Sequence, residues 1–185
     1  MQKPSISLIV STYNQPDFLR LVLCALVNQT DRNFELLIAD DGSNEETRTL
    51  LDKFEQKQQI SVKHIWHEDN GFQKSQILNK AALASTNDYL VFLDGDCIPR
   101  TKHIKDHRAL AKKSRIVGCS RILLDETLMA HTRNNQLEAH RWSLWKVLGF
   151  RISGHVNRIA PLLRIPLFSL RGVAPKNWKK VRGCN

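Results

Sequence analysis

The sequence predicts an α/β fold with a mostly parallel central sheet covered by helices on both faces. In the first hundred residues, short apolar segments rich in β-branched residues alternate with longer segments of helical periodicity. Polar residues follow each apolar segment directly: TYN at 12–14, DDGS at 40–43, EDNG at 68–71 and DGD at 94–96. Parallel sheets of this kind bind ligands beyond the carboxyl ends of their strands, so these polar residues indicate a functional site.

Four strands and three helices are predicted in this half of the chain. The strands are 5–11, 34–39, 60–67 and 89–93, and the helices are 18–29, 45–58 and 73–84. Asp17 is expected to cap the first helix, whose apolar residues recur at helical spacing. Acidic residues open the second helix, where they favour its dipole.

The pattern is weaker beyond residue 100. The predicted elements are a helix at 103–113, a strand at 115–124 and a polar, helical or irregular stretch at 125–140. Leu110 and Ala111 are expected to face inward from that helix. The segment 142–170 mixes apolar residues with tryptophan and arginine, and Pro161 and Pro166 interrupt it. It fits an ordinary core helix with a basic face, which we favour, or a segment at a membrane interface.

Charge divides the chain into two halves. Residues 1–99 contain 9 Lys/Arg and 14 Asp/Glu, whereas residues 100–185 contain 19 and 4. The acidic half suits a metal, and the basic half suits phosphates, an anionic acceptor or an anionic membrane surface. No nucleic-acid-binding motif accompanies the basic charge, so we expect no nucleic-acid partner. The cysteines lack paired spacing, and the sequence shows neither a signal peptide nor an apolar run long enough to span a bilayer. We therefore expect a cytoplasmic protein, which at most contacts the inner face of the cytoplasmic membrane as a peripheral protein.

Two carboxylates follow the predicted strand at 89–93. Gly95 separates Asp94 from Asp96, and its conformational freedom is expected to let both carboxylates converge. Two adjacent negative charges at the end of a buried strand need a counter-charge, and Mg²⁺ or Mn²⁺ prefers carboxylate oxygen. The spacing alone fits a solvated turn equally well, but the other polar strand ends favour a metal site.

The histidines suggest less chemistry. His103 and His107 stand four residues apart and share one face of a predicted helix. That spacing can bind a metal, but the sequence shows no third ligand, so a structural role is favoured. His64 and His67 are predicted as strand residues without a chemical role, and Asp40 as a structural cap.

Four segments match a known family in order, spacing and placement at strand ends. They are SLIVSTYNQPDFL at 7–19, ELLIADDGSNEET at 35–47, EDNGFQKSQILNKAALAS at 68–85 and YLVFLDGDCIPR at 89–100. On these residues the sequence resembles family 2 glycosyltransferases, especially bacterial enzymes of surface-polysaccharide or lipopolysaccharide assembly and the transferase domains of chondroitin polymerase. The resemblance implies a GT-A fold, a Rossmann-like three-layer α/β/α arrangement. It implies one domain over 1–185, with a nucleotide-binding half at 1–99 and a basic acceptor-side half at 100–185.

The resemblance also implies a function. This is inverting, metal-dependent transfer of a sugar from a nucleotide sugar, expected to be a UDP-sugar, to a glycan or lipid-linked acceptor in bacterial cell-surface polysaccharide synthesis. The implied donor-binding residues are Thr12, Tyr13, Asn14, Asp41, Gly71, Lys74, Asn79, Lys80 and Asp94. Asp94 and Asp96 would hold Mn²⁺ or Mg²⁺, and Asp41 would accept the uracil imide N–H. Lys74 and Lys80 fit solvated helix positions equally well, and Tyr13 also fits a packing role.

The catalytic base is not assigned within the sequence. RGCN at 182–185 resembles the start of a later family motif, and the family's acidic base lies beyond that motif. We therefore expect the base beyond Asn185 and a GT-A domain truncated in its C-terminal part. The alternative is a non-catalytic nucleotide-sugar-binding module that lacks the base.

Overall fold

The computed structural model describes residues 3–57, 60–113, 116–134 and 138–162. Its strands are β1 (Ile6–Thr12), β2 (Glu35–Asp40), β3 (Val62–Trp66) and β4 (Tyr89–Asp94). Its α-helices are α1 (Pro16–Val27), α2 (Glu45–Gln56), α3 (Lys74–Ala84), α4 (His103–Leu110), α5 (Glu126–Asn134) and α6 (Leu144–Ile152). Single 3₁₀ turns cover Ala139–Arg141 and Ala160–Leu162.

The four strands form one parallel sheet in the order β3–β2–β1–β4. Their register aligns the carboxyl ends, because Thr12 lies opposite Asp40 and Ser11 lies opposite Asp94. The chain leaves β3 at one edge of the sheet and returns as β4 at the other edge. The strand order therefore reverses between β1 and β4, the point where open parallel sheets bind ligands.

The core explains why apolar residues point to both faces of β1. Ile6, Leu8 and Val10 pack with α1, α2 and α4 on one face of the sheet. Ile9, between them, packs with α3 on the other face. Burying each such side chain contributes about 1.5–3 kcal/mol, so a strand covered on both faces carries apolar residues on both, and its buried Ser7 instead donates a hydrogen bond to Glu35. The predicted three-layer α/β/α arrangement is confirmed.

A second, smaller cluster lies beyond the sheet. Leu128, Trp142, Val147 and Val156 form its buried centre. Trp142 is thus a core residue, as the favoured interpretation of the segment 142–170 expects. The part of that segment after residue 162, with Pro166, lies outside the described residues. Among the described helices, none combines the length and the apolar character that crossing a bilayer requires.

Two predicted helix features differ from the structure. Asp17 does not cap α1, because Pro16 occupies the first helical position and Asp17 lies in the first turn. Proline suits that position, since its missing N–H would be unpaired there anyway. In α4 the buried residues are Ile104 and His107, whereas Leu110 is only partly buried and Ala111 follows the helix end.

The predicted strand at 115–124 is wrong over its described part. Residues 116–123 form no strand, and Leu124 forms only an isolated antiparallel bridge with Val156. Ile116 and Leu123 are more than half exposed, at 59% and 51%. An apolar run becomes a strand only where a neighbouring strand pairs with its backbone groups, and none of the four strands pairs with this segment.

Candidate functional site

The ends of β1 and β4 meet at the point where the strand order reverses. Ser11 Oγ donates to Asp94 Oδ1 at 3.3 Å, and the N–H of Gly95 donates to the carbonyl of Ser11 at 2.8 Å. A Cβ at Gly95 would lie 2.6 Å from that carbonyl oxygen. Glycine is therefore required by close backbone approach, rather than by the conformational freedom that the sequence suggested.

Asp94 and Asp96 form an acidic cluster beyond this contact. One ligand atom each from Asp94, Asp96 and Cys97 lies within 4.8 Å of the other two. Asp94 is partly buried and fixed by Ser11, whereas Asp96 is exposed. One anchored carboxylate and one accessible carboxylate fit a hard divalent cation that keeps several waters, as Mg²⁺ and Mn²⁺ do.

Lys74 supplies a protein counter-charge to this cluster. Its Nζ donates to Asp94 Oδ1 at 2.6 Å, and its side chain is 34% exposed. Lys74 therefore offsets part of the like-charge repulsion between Asp94 and Asp96. A cation that uses the same oxygen must displace the lysine or share the oxygen with it.

Asp41 is fixed in place at the end of β2. His67 Nε2 lies 2.7 Å from its Oδ1, and the N–H of Gln73 donates to its Oδ2 at 3.0 Å. Lys80 Nζ lies 3.2 Å from His67 Nδ1. If Lys80 donates to Nδ1, neutral His67 carries its proton on Nε2 and donates to Asp41. Each carboxylate oxygen retains a second lone pair, so Asp41 can still accept from a ligand.

The rim of the site consists of the loops after β1 and β3. Tyr13 is 48% exposed, and its OH donates to Asp69 Oδ2 at 2.9 Å. This hydrogen bond raises the pKa of Tyr13. The N–H of Asn14 donates to Ser43 Oγ at 2.9 Å, and the N–H of Gly71 donates to Asp69 Oδ1 at 3.0 Å. The Tyr13 ring is thus held at the rim with a surface open to a planar ligand.

Two further predicted residues lie in different settings. Thr12 is buried at the end of β1, and its Oγ1 has no hydrogen-bond partner among the described residues. Asn79 is exposed on α3. At about 100° per residue it lies on the side of the helix opposite the buried Ile77 and Ala81. The other predicted residues gather at this edge of the sheet, whereas Asn79 faces solvent.

Several contacts in the site were not predicted. His67 lies just beyond β3, not on it, and both His67 and His64 bond to carboxylates. Asp40 accepts from the N–H of Ser43 at 2.8 Å, a structural contact in the turn before α2, whose N-cap is Asn44 and not Asp40. The position of His67 directly after an apolar run, next to other polar strand ends, was the signal available in the sequence.

Comparison with known proteins identifies the family. The model of the family described as glycosyl transferase family 2 matches residues 7–159. Hyaluronan synthase of Pasteurella multocida is 35% identical over 99 residues, which is 53% of this chain and 10% of the synthase. Chondroitin synthase of Pasteurella multocida (strain Pm70) is 35% identical over 96 residues, covering 51% of this chain and 10% of the synthase. The chain thus spans about a tenth of the length of these two relatives.

Solved structures share the fold. TarS of S. aureus matches with a TM-score of 0.52 and 25% identity, over 57% of this chain and 19% of TarS. Residues 1–349 of TarS in complex with UDP match with a TM-score of 0.53 and 23% identity, over 63% of this chain and 38% of that one. A mannosyltransferase of Pyrobaculum calidifontis in complex with GDP-Man and Mn²⁺ matches with a TM-score of 0.55 and 20% identity, over 65% and 36%. The fold is the predicted GT-A fold, and the chain belongs to glycosyl transferase family 2.

Proposed function

We propose that this chain contains the donor site of an inverting glycosyltransferase that transfers a sugar from a UDP-sugar to a glycan or lipid-linked acceptor. The acceptor belongs to bacterial cell-surface polysaccharide synthesis in this proposal. The observation that carries it is the convergence of Asp94 and Asp96 at the β1–β4 switch point, beside Asp41 and Tyr13 on the same sheet edge. Family membership supports the reaction class.

Each residue in the proposal has a physical task. Asp41 accepts the uracil imide N–H, because both of its oxygens are fixed in the buried strand end. Tyr13 packs against the base, and Lys74 lies close enough to Asp94 to meet the diphosphate. Asp94 and Asp96 would hold Mn²⁺ or Mg²⁺, which supplies Lewis-acid stabilisation of the departing nucleoside diphosphate.

Two neighbours support the choice of ligands. The TarS structure contains UDP, and the mannosyltransferase structure contains GDP-Man and Mn²⁺. These ligands belong to those proteins. They support a nucleotide site and a divalent cation at this edge of the sheet, with uridine favoured here by Asp41.

The alternative is a nucleotide-sugar-binding module without transfer activity. Inversion requires a base that takes the proton of the acceptor hydroxyl as it attacks C1. Among the residues that the structure describes, we assign that role to none. Donor binding with neither transfer nor donor hydrolysis would favour the binding module.

The proposal extends to peripheral contact with an anionic membrane surface. α6 exposes Trp145 and Ile152, both 80% accessible, next to the basic residues Lys146 and Arg151. A lipid-linked acceptor would be met at such a surface. The basic second half of the chain supports this placement on the inner face of the cytoplasmic membrane.

Calorimetric titration with UDP tests the donor site, in the presence and absence of Mn²⁺. We expect metal-dependent binding that Asp96→Asn weakens at least about tenfold, since the variant removes one anionic oxygen ligand. Asp88→Asn is the matched control, because Asp88 is exposed directly before β4, at the other end of the same strand. It is expected to bind within about twofold of the wild type.

Two results would contradict the proposal. One is equal UDP affinity with and without Mn²⁺, and the other is unchanged affinity in Asp96→Asn. Competition by CDP and GDP tests the choice of base: UDP is expected to bind tightest, and Asp41→Asn is expected to remove that preference.

A further inference from the structure

The structure supplies the third ligand that the sequence did not reveal for the histidine pair on α4. His103 and His107 lie one turn apart, and Cys119 reaches them from the segment after the helix. One ligand atom of each side chain lies within 4.8 Å of the other two. The two imidazole rings meet edge to face, with centroids 4.6 Å apart.

The hydrogen bonds of this cluster occupy both nitrogens of His107 and leave Nε2 of His103 available. His107 is 3% exposed, and its Nδ1 lies 3.3 Å from Tyr89 OH, while its Nε2 lies 3.2 Å from Cys119 Sγ. His103 Nε2 is buried and has no hydrogen-bond partner within the described part of the chain. Leaving a buried polar nitrogen unpaired destabilises a fold, so a bound ligand would remove a penalty that the fold otherwise carries.

The protonation states of the two imidazoles favour metal ligation, whereas burial raises the pKa of the Cys119 thiol, which zinc would have to deprotonate on binding. Burial, together with the neighbouring His107, lowers the pKa of His103 to about 3. Burial lowers the pKa of His107 to about 4, so both rings are neutral near pH 7 and each offers a lone pair. Tyr89 OH can accept from Nδ1–H of His107, which directs the Nε2 lone pair towards Cys119.

We propose that His103, His107 and Cys119 bind one Zn²⁺ ion. Two imidazole nitrogens and one thiolate sulfur suit zinc, whereas the carboxylates of Asp94 and Asp96 suit Mg²⁺ or Mn²⁺. Tetrahedral zinc, with Zn–N of about 2.0–2.1 Å and Zn–S of about 2.3 Å, places N and S about 3.6 Å apart. The observed 3.2 Å between His107 Nε2 and Cys119 Sγ needs to open by only a few tenths of an ångström.

The zinc site is distant from the donor site. His107 contacts Tyr89, the first residue of β4, whereas Asp94 is the last residue of that strand. Five strand residues at about 3.3 Å each separate the two sites by roughly 16 Å. Zinc at this position would join α4 to the irregular segment that leads to the second hydrophobic cluster. Three protein ligands leave a fourth position for water.

Cobalt substitution tests the site in the full chain under reducing conditions. One Co²⁺ per chain is expected to give the near-ultraviolet band of a cobalt–thiolate bond and the visible bands of tetrahedral cobalt. Zn²⁺ is expected to displace Co²⁺, and excess Mg²⁺ is not, because its preference for oxygen excludes it from this ligand set. Competition with a chromophoric chelator gives the zinc affinity.

Matched variants identify the ligands. Cys119→Ser is expected to lose the cobalt–thiolate band, and both Cys119→Ser and His103→Gln are expected to weaken zinc binding at least about tenfold. Cys24→Ser, which changes an exposed cysteine on α1, and Asp96→Asn, which changes the donor site, are expected to bind zinc as the wild type does. Far-ultraviolet circular dichroism shows which variants fold.

The proposal is overturned if the wild-type chain shows no cobalt–thiolate band. It is also overturned if a folded Cys119→Ser or His103→Gln variant keeps the wild-type zinc affinity. The two substitutions lie on different elements, so a folding defect in one leaves the other as a complete test.

Discussion

At the scale of single residues, Lys74 has two competing partners. The family resemblance implies that it meets the diphosphate, whereas in the structure its Nζ lies 2.6 Å from Asp94 Oδ1. A metal nucleotide brings a cation for Asp94 and an anion for Lys74 together. Binding of the complex can therefore exchange one ion pair for two, while a metal alone has to compete with the lysine.

Lys74→Met separates these two roles. Without the lysine, Mn²⁺ alone is expected to bind about three- to tenfold more tightly, because Asp94 loses its competing cation. UDP in the presence of saturating Mn²⁺ is expected to bind more weakly, because the diphosphate loses a positive partner. Calorimetric titration measures both affinities. Lys53→Met, an exposed change on α2, serves as the control, and unchanged Mn²⁺ affinity in Lys74→Met would refute the competition.

The residue scale also shows what a sequence reveals about a site. Motifs at strand ends predicted Asp94, Asp96 and Asp41, because carboxyl ends of parallel strands share one edge. The partners of these side chains were not predictable, since His67 is separated from Asp41 by 26 residues and meets it only through strand pairing. The proximity of Cys119 to the two histidines of α4 was not predictable for the same reason, since an irregular segment brings it there.

At the scale of elements, periodicity predicted the sheet well and the later segments poorly. The four strands and the first three helices lie within a few residues of their predicted bounds. The apolar pattern indicates a local preference for extended β structure. β1, β2 and β4 form strands because each pairs with a neighbouring strand. Residues 116–123 have a similar composition but pair with no strand, so they do not form one.

The amino-terminal ends of the strands are joined by Glu35. Its Oε2 accepts from Ser7 Oγ at 2.5 Å and from the N–H of Thr86 at 2.9 Å, and its Oε1 accepts from Lys63 Nζ at 2.6 Å. One carboxylate on β2 thus links β1, β3 and the segment before β4. Burial favours a higher pKa, but the hydrogen bonds of Lys63, Ser7 and Thr86 outweigh it and lower the pKa of Glu35 to about 2.

Glu35→Gln tests this link through its pH dependence. A depressed carboxylate pKa stabilises the fold above the unfolded value near 4.5, and the contribution is lost as the pH falls towards the folded value of about 2. With screening by solvent, we expect Glu35→Gln to lower the free energy of unfolding by about 1–2 kcal/mol near pH 7. The difference should shrink steadily below about pH 4.5 and approach zero near pH 2.

Urea unfolding of both proteins across this pH range gives the difference directly. Glu55→Gln, an exposed change on α2, controls for the general effect of removing a negative charge. A difference between wild type and Glu35→Gln that stays constant from pH 7 to pH 3 would show that the carboxylate's charge does not stabilise the sheet.

At the scale of the whole molecule, charge and exposure divide the chain in the same way. The acidic half forms the sheet and the proposed donor site, and the basic half contains α4, α5 and α6. On α6, Trp145 and Ile152 are seven residues apart and share one face, opposite the buried Val147. Exposed apolar side chains beside basic residues suit the boundary between headgroups and acyl chains of an anionic bilayer.

Vesicle sedimentation tests whether this face of α6 contacts membranes. The full chain is expected to bind vesicles that contain phosphatidylglycerol more tightly than phosphatidylcholine vesicles, and salt is expected to weaken that binding because it screens the basic half. The double variant Trp145→Ser, Ile152→Ser is expected to weaken binding at least about tenfold, since two large apolar side chains no longer enter the interface.

Leu83→Ser separates this specific effect from a general loss of surface hydrophobicity. Leu83 is 88% exposed but lies on α3, in the acidic half of the chain. The Leu83→Ser variant should bind anionic vesicles as the wild type does if α6 is the contact. If both variants lost binding equally, the loss would reflect general surface hydrophobicity and not a contact made by α6. Unchanged binding in the double variant would leave charge alone as its cause, and α6 would then have no part in positioning a lipid-linked acceptor.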